Sequence, residues 1–97
     1  MDVIYRLQGV EFEWDEDKGL GNIQKHEVTF EEAAEVFFDP FYRTGDASVD
    51  KEPREFIIGY NFSQRLLLAV YVDRSNQTRI ISARSVTRAE RKLYEEA

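Results

Sequence analysis

The sequence has no cysteine, and it has only one histidine and two prolines among its 97 residues. Without cysteine the chain cannot form disulfides, use a thiolate nucleophile or build a cysteine zinc site, and this composition fits a reducing compartment. A single histidine cannot supply a histidine-rich metal site within one chain. We therefore expect neither a metal nor any other cofactor.

Long hydrophobic runs are missing as well. The longest, Leu66 to Val72, falls well short of the roughly 20 apolar residues that a membrane-spanning helix needs. The N-terminus lacks the basic and apolar regions of a signal peptide, so we expect a cytoplasmic protein with no membrane partner. The content of 42% apolar and 33% charged residues predicts a single small domain over residues 1–97.

Negative charge dominates the chain, but it is concentrated in the first half. Residues 1–50 contain four Lys or Arg and thirteen Asp or Glu, which gives a net charge of −9. Residues 51–97 contain nine and six, which gives +3. This asymmetry suggests two different partners, although solvation of the surface would account for any single charge.

The patterning predicts an α+β domain with the element order β-α-α-β-β-β-α, an optional short extra strand after the second helix, and an antiparallel sheet. Residues 1–8 show no regular pattern. The strands are expected at 10–14, 41–44 (the short one), 54–60, 65–72 and 79–86, with a loop over 45–53. The nearly continuous apolar run at 65–72 indicates a central strand that is buried on both faces.

Capping residues predict where the helices begin. The first helix should follow Asp15 and end near Lys25 or His26, with Leu20 and Ile23 as its core contacts. Thr29 with Glu32, and Thr87 with Glu90, have the spacing of capping boxes, so further helices should begin at Phe30 and Arg88.

The junction between the last strand and the last helix is rich in cations. Strand alternation should place Ile80, Ser82 and Arg84 on one face and Arg79 on the other. Guanidinium groups bind phosphate oxygens bidentately, so this corner is a natural phosphate site. The arginines that could converge on RNA phosphate are Arg54, Arg65, Arg79, Arg84 and Arg88. The alternative is that each forms a salt bridge with one of the many carboxylates.

The only imidazole, His26, could donate or accept a proton in catalysis. The alternative is a histidine that interacts with the last carbonyls of its own helix. Tyrosines pose a similar choice between stacking on RNA bases and packing at the edge of the core. These tyrosines are Tyr42, Tyr60, Tyr71 and Tyr94. The sequence contains no P-loop, dinucleotide-binding glycine pattern or nucleophile elbow.

Several motifs together resemble the BrnT toxin family. The front half carries Phe12-Glu13-Trp14-Asp15, Lys18, Asn22, Lys25-His26, the segment from Val28 to Ala33, and Phe38-Asp39-Pro40. The back half carries Arg54, Ile58-Gly59, Ser63, Leu66-Leu67, Val70-Tyr71, the segment from Arg79 to Arg84, Thr87-Arg88, Glu90-Arg91 and Tyr94-Glu95. The similarity covers nearly the whole chain from Phe12, although Gly19, Gly21 and Glu27 depart from the family pattern.

The resemblance implies a RelE-like fold and an endoribonuclease toxin that arrests translation in a type II toxin–antitoxin system. It implies neutralisation by a ribbon-helix-helix antitoxin of the BrnA type, through which the complex binds operator DNA. His26, Arg54, Arg79 and Arg84 lie on family motif positions and are the candidates for the active face. We take His26, Arg79 and Arg84 as candidate catalytic residues of a metal-independent reaction in which His26, or an unprotonated tyrosine or lysine, transfers the proton. The candidate RNA-binding residues are Lys25, Arg54, Arg65, Arg88 and Tyr94. The alternative is a non-catalytic module whose arginine groove holds the antitoxin and which acts as a co-repressor.

Overall fold

The computed structural model describes residues 1–96. Six strands form one sheet in the order β1-β2-β6-β5-β4-β3. The strands are β1 (Asp2–Leu7), β2 (Val10–Asp15), β3 (Arg43–Asp46), β4 (Glu55–Tyr60), β5 (Leu66–Arg74) and β6 (Gln77–Ser85). The helices are α1 (Glu16–His26), α2 (Phe30–Glu35) and α3 (Arg88–Glu95), and a 3₁₀ turn covers Val36–Phe38.

The predicted α+β architecture is confirmed, with two corrections to the sheet. Every neighbouring pair of strands is antiparallel except β2 and β6, which run parallel through Phe12↔Thr78 and Glu13↔Arg79. A parallel pair is possible because β2 and β6 are joined by a long connection that includes α1 and α2. On its other edge, β2 pairs with β1 as a hairpin. The expectation of an irregular segment at residues 1–8 is therefore wrong, because half-buried side chains such as Tyr5 anchor this strand to the core.

The sheet separates two apolar clusters. The larger lies under α1 and α2 and contains Phe12, Phe30 and Leu67, while the smaller contains Ile58 and Leu68 and is covered partly by Tyr94 of α3. Since β5 contributes to both clusters, the prediction of a central strand buried on both faces is confirmed.

A β-bulge interrupts the alternation of β6. Tyr71 pairs with Ile80, but Val70 pairs with Ser82, so Ile81 is an extra residue on β6. The bulge allows both Ile80 and Ala83 to face the larger cluster. It also places Arg79, Ser82 and Arg84 on the opposite face together, which corrects the expectation that Arg79 and Arg84 lie on different faces.

The prediction that Leu20 and Ile23 of α1 are core contacts is wrong. Leu20 is 58% exposed and Ile23 is 40% exposed, whereas Gly19 and Asn22 are buried. A Cβ atom at Gly19 would lie only 3.2 Å from the Trp14 ring. The helix therefore packs on its glycine, which leaves the two aliphatic side chains at the surface.

The predicted helix starts are confirmed. Asp15 accepts a hydrogen bond from the Lys18 backbone N–H, and both capping boxes are complete. The short strand β3 begins two residues later than the expected Phe41. Among residues 1–96, no helix is long and apolar enough to cross a membrane.

Candidate functional site

A cleft of about 250 Å³ lies between α1 and the edge of β6. We call it the basic cleft and define it by Lys18, Lys25 and His26 of α1 with Ile81 and Ser82 of β6. Lys18 and Lys25 are seven residues apart, or about two helical turns, so they point to the same side of α1. The cleft therefore combines two ammonium groups, an imidazole and a hydroxyl.

Asn22 holds the two walls of the basic cleft together. Within residues 1–96, β2 pairs with β6 only through Thr78 and Arg79, so the next part of that edge has no strand partner. The Asn22 side chain takes over this role, since Nδ2 donates to the Ala83 carbonyl at 2.8 Å and Oδ1 accepts from the Ala83 N–H at 3.1 Å. Nδ2 also donates to the Val28 carbonyl at 2.9 Å, which fixes the end of α1.

His26 lies in the last turn of α1 and is exposed in the basic cleft. Within residues 1–96, neither its ring nor the ammonium groups of Lys18 and Lys25 form a salt bridge. An exposed imidazole beside two uncompensated cations can transfer a proton next to a bound anion.

Arg84 lies two residues beyond Ser82 and on the same face of β6. Its guanidinium donates two hydrogen bonds to Glu90 of α3, at 2.7 and 2.8 Å. Glu90 also accepts from the Thr87 N–H as part of the capping box. The hydrogen bonds from Arg84 lower the pKa of Glu90 to about 2, with a further contribution from Thr87. Arg84 therefore fastens the end of β6 to the start of α3.

Arg79 lies at the other end of β6, roughly 15 Å of strand away from Arg84. Its guanidinium donates to Asp2 at 3.3 Å and lies 3.6 Å from Glu13. The hydrogen bond from Arg79 to Asp2 raises the pKa of Arg79. The structure thus does not bring Arg79 and Arg84 to one point.

The other predicted RNA-binding residues are also distributed over the surface. Arg54 donates to Glu52 at 3.0 Å, in the loop before β4. Arg65 donates to Glu32 of α2 at 3.2 Å, on the face of the sheet that α1 and α2 cover. Lys25 lies beside His26 in the basic cleft, and Arg88 is exposed on α3. Four of the predicted arginines therefore form salt bridges with carboxylates of the same chain, namely Arg54, Arg65, Arg79 and Arg84. Lys25 and Arg88 form none within the described chain.

Tyr94 belongs to a second cleft, on the side of the sheet that α3 covers. Its hydroxyl donates to Asp39 at 2.6 Å. Burial and this hydrogen bond raise the pKa of Tyr94 well above its usual value. The phenol is therefore protonated at neutral pH, which removes it from the possible general bases.

Several residues that line the two clefts had no predicted site role. Lys18 and Ser82 lie in the basic cleft, and Asp39 and Asn61 lie in the second one. The spacing of Lys18 and Lys25 on one helix face was a signal for Lys18. No local pattern indicates Ser82, Asp39 or Asn61, because each cleft is assembled from segments that are distant in sequence.

The described residues 1–96 contain no group of three or more His, Asp or Glu side chains arranged to hold a metal ion. Among these described residues, none of those that line the basic cleft carries a carboxylate. Its polar groups are suited to holding an anion.

A family model described as "Ribonuclease toxin, BrnT, of type II toxin-antitoxin system" matches residues 14–90. Among solved structures, the 1.1 Å crystal structure of the Brucella abortus ribonuclease toxin BrnT is similar in fold, with a TM-score of 0.62 and 22% sequence identity. The similarity covers 77% of this chain and 94% of that chain. No curated protein matches the sequence.

Proposed function

The chain belongs to the BrnT family of ribonuclease toxins from type II toxin–antitoxin systems, and from this premise we propose that it is an endoribonuclease whose active site is the basic cleft. The observation that supports this assignment is that the exposed His26 lines one cleft together with Lys18 and Lys25, and that none of the described residues lining it carries a carboxylate. Cleavage of RNA in the cytoplasm would arrest translation.

The reaction we propose needs no external nucleophile. The 2′-oxygen of the RNA attacks the neighbouring phosphorus, the bond from phosphorus to the 5′-oxygen breaks, and the products are a cyclic phosphate and a 5′-hydroxyl end. Neutral His26 accepts the proton of the 2′-hydroxyl while water protonates the departing 5′-oxygen, or protonated His26 donates a proton to the 5′-oxygen while water accepts the one from the 2′-hydroxyl. Lys18 and Lys25 stabilise the negative charge that accumulates on the phosphoryl oxygens.

The proposed roles of Arg84 and Arg79 differ because their surroundings differ. Arg84 lies two residues beyond Ser82 on β6 and would bind a phosphate in the basic cleft if that phosphate competed with Glu90 for the guanidinium. Arg79 is too far along the strand to bind the same phosphate, so it fits a flanking phosphate of a longer RNA. Arg54, Arg65 and Arg88 would likewise contact the RNA backbone outside the cleft.

The active-site assignment is tested by RNA cleavage with the purified full chain, with and without EDTA. His26→Ala should lower the cleavage rate by about 10²- to 10⁴-fold, the usual contribution of a general acid or base. Lys25→Gln should lower it less. The matched control is Gln24→Ala, on an exposed residue of the same helix that does not line the cleft.

Full cleavage activity of His26→Ala, with an unchanged melting temperature, would show that the active site lies outside the basic cleft. Activity that EDTA abolishes in the wild-type protein would contradict a metal-independent reaction.

We assign the antitoxin to a different surface, which we call the apolar groove. It is a cavity of about 190 Å³ lined by Leu20 and Ile23 of α1 together with Val3, Trp14 and Phe30. The charged residues in its lining are Glu16 and Glu31. This combination fits an amphipathic segment with lysine or arginine beside its apolar anchors.

We expect such a segment to come from a ribbon-helix-helix antitoxin of the BrnA type. The complex would then contact operator DNA through the antitoxin alone.

A non-catalytic binding module is the competing function, in which the toxin would act only as a co-repressor. The observation that favours it is the internal pairing of Arg54, Arg65, Arg79 and Arg84 with carboxylates. Because these guanidinium groups are already neutralised, they contribute less to RNA binding than their number suggests. The module hypothesis predicts an antitoxin complex of normal affinity and no RNA cleavage by the free wild-type protein.

A further inference from the structure

The second cleft, with a volume of about 550 Å³, is lined mainly by aromatic rings. We call it the aromatic cleft and define it by Phe38, Phe41, Tyr60, Asn61, Phe62 and Tyr94. Its walls come from the segment after α2, the turn between β4 and β5, and the end of α3. A volume of this size lies within the range of small-molecule sites.

Two rings of the aromatic cleft are unusually accessible. Phe41 is 72% exposed and Phe62 is 50% exposed. Neither side chain contributes much to the free energy of folding, because about half or more of its apolar area stays in water. Large exposed aromatic groups that gather around one concavity often mark a binding site.

Asp39 fixes the geometry of the cleft before any ligand arrives. Its carboxylate accepts hydrogen bonds from the Tyr94 hydroxyl at 2.6 Å, the Tyr60 N–H at 2.8 Å and the Phe41 N–H at 2.9 Å. Gly59 permits this approach, since a Cβ atom there would lie 3.2 Å from Asp39 Cβ. The cleft is therefore preorganised, which reduces the entropy cost of binding.

Asn61 supplies a hydrogen-bond donor without a partner. Its side chain is only 2% exposed, and Oδ1 accepts from the backbone N–H groups of Ser63 and Arg65. No acceptor within residues 1–96 binds the Nδ2 group. A buried amide donor is costly unless an acceptor is provided, so it favours a ligand that offers one.

Positive charge lies at the rim of the aromatic cleft. Arg91 of α3 places Nη1 3.5 Å from the Tyr60 hydroxyl. Arg88 lies one helical turn earlier on α3. Like Arg88, Arg91 forms no salt bridge within the part of the chain that the structure describes. A ligand that combines a flat ring, a hydrogen-bond acceptor and a nearby anion would satisfy all of these groups.

We propose that the aromatic cleft binds one unpaired nucleobase of the RNA substrate, with the adjoining phosphate on Arg91. The inference rests on the proposed ribonuclease function and adds a base-binding subsite to it. Nucleobases stack on aromatic side chains and carry acceptors at their edges. An apolar side chain of a protein partner would fill the cleft, but it would offer no acceptor to Asn61 Nδ2 and no anion to Arg91.

The test measures binding of a fluorescent single-stranded RNA hexamer to the full chain in a His26→Ala background, which slows turnover. Phe62→Ala and Phe41→Ala should each raise the dissociation constant roughly 10- to 100-fold, the effect of losing one base-stacking contact. Phe62→Trp should retain binding. An otherwise identical abasic hexamer should bind the Phe62→Ala protein and its parent equally.

The matched control is Tyr42→Ala. Tyr42 is also half-exposed and adjoins Phe41, but it does not line the cleft. It should leave RNA binding unchanged. Unaltered RNA affinity of Phe62→Ala would overturn the nucleobase site, and a simultaneous loss of antitoxin binding would identify the cleft as a protein surface.

The same experiment separates this inference from the proposed function. Suppose that binding to the aromatic cleft depends on the base but the wild-type protein does not cleave RNA. The ribonuclease hypothesis would then be rejected and the nucleobase subsite retained. If the wild-type protein cleaves RNA but Phe62→Ala has normal RNA affinity, the nucleobase subsite would be rejected and the ribonuclease hypothesis retained.

Discussion

Glu27, the residue that follows His26, has an unfavourable backbone conformation. Its φ of 55° and ψ of 37° lie in the left-handed region, and its N–H donates to the Ile23 carbonyl to end α1. Glycine is the usual residue at such a helix end because it has no Cβ to clash with the following carbonyl. The end of the helix that carries His26 is therefore strained.

We predict that Glu27→Gly stabilises the protein. The variant relieves a left-handed penalty of about 1–2 kcal/mol, part of which is offset by the greater freedom of glycine in the unfolded chain. A net gain of about 1 kcal/mol would raise the melting temperature by roughly 4–8 °C in a domain of this size. Thermal unfolding monitored by circular dichroism measures the change.

Gln24→Gly serves as the control, since it introduces glycine within the same helix where φ is already favourable. It should destabilise the protein by about 1 kcal/mol. If both variants lowered the melting temperature equally, the strain assigned to Glu27 would be absent.

Single residues were predictable from sequence only where their partners are close in sequence. Thr29 and Glu32 meet within one helical turn, so the spacing was sufficient to place the cap. Asn22 binds Ala83, 61 positions away, and no local pattern connects the two. The ion pair of Arg79 with Asp2 could not be predicted either, because the two residues are distant in sequence and Asp2 lies in a strand that was not expected.

Between elements, the ion pair of Arg84 and Glu90 makes the junction of β6 and α3 sensitive to acid. The pKa of Glu90 is about 2 in the folded protein, compared with an ordinary value of 4.5. A lowered pKa means that the folded state favours the ionised carboxylate. Its stabilisation is therefore complete above pH 4.5 and disappears as the pH falls through 2.

We predict that Glu90→Gln costs on the order of 1–2 kcal/mol at pH 7, after allowance for solvent screening of a partly exposed pair. The difference from wild type should shrink as the pH falls below about 4.5 and should vanish near pH 2. Urea unfolding across this range provides the measurement. Glu95→Gln, on the same helix but outside any ion pair within residues 1–96, should show no such convergence.

A stability difference between wild type and Glu90→Gln that stays constant from pH 7 to pH 2 would show that the ion pair does not stabilise the junction.

The elements themselves were largely predictable, but their alignment was not. The alternation of β6 identified a strand, yet the extra residue at Ile81 depends on the need to bury both Ile80 and Ala83 against the same cluster. Similarly, the apolar spacing of Leu20 and Ile23 is compatible with either side of α1. The contact between Gly19 and Trp14 decides which side faces the core.

Across the whole molecule, α1 separates two surfaces of different character. Lys18 and Lys25 project to one side, into the basic cleft, while Leu20 and Ile23 project to the other, into the apolar groove. Residues two or five apart in a helix point in nearly opposite directions. The two proposed partners, RNA and antitoxin, would thus meet different sides of one helix.

This arrangement predicts that the two functions can be separated on α1. Leu20→Asp should retain RNA cleavage, since Leu20 is mostly exposed, but it should weaken the antitoxin complex because it replaces an apolar contact with another negative charge. Lys25→Gln should weaken RNA cleavage and retain antitoxin binding. Because the two residues lie on opposite sides of the helix, the double variant should show both defects additively.

Cleavage assays with and without antitoxin, together with calorimetric titration of the complex, measure both effects. Loss of cleavage in folded Leu20→Asp, or loss of antitoxin binding in Lys25→Gln, would mean that the two partners share one surface. Neutralisation would then follow from direct occlusion of the basic cleft.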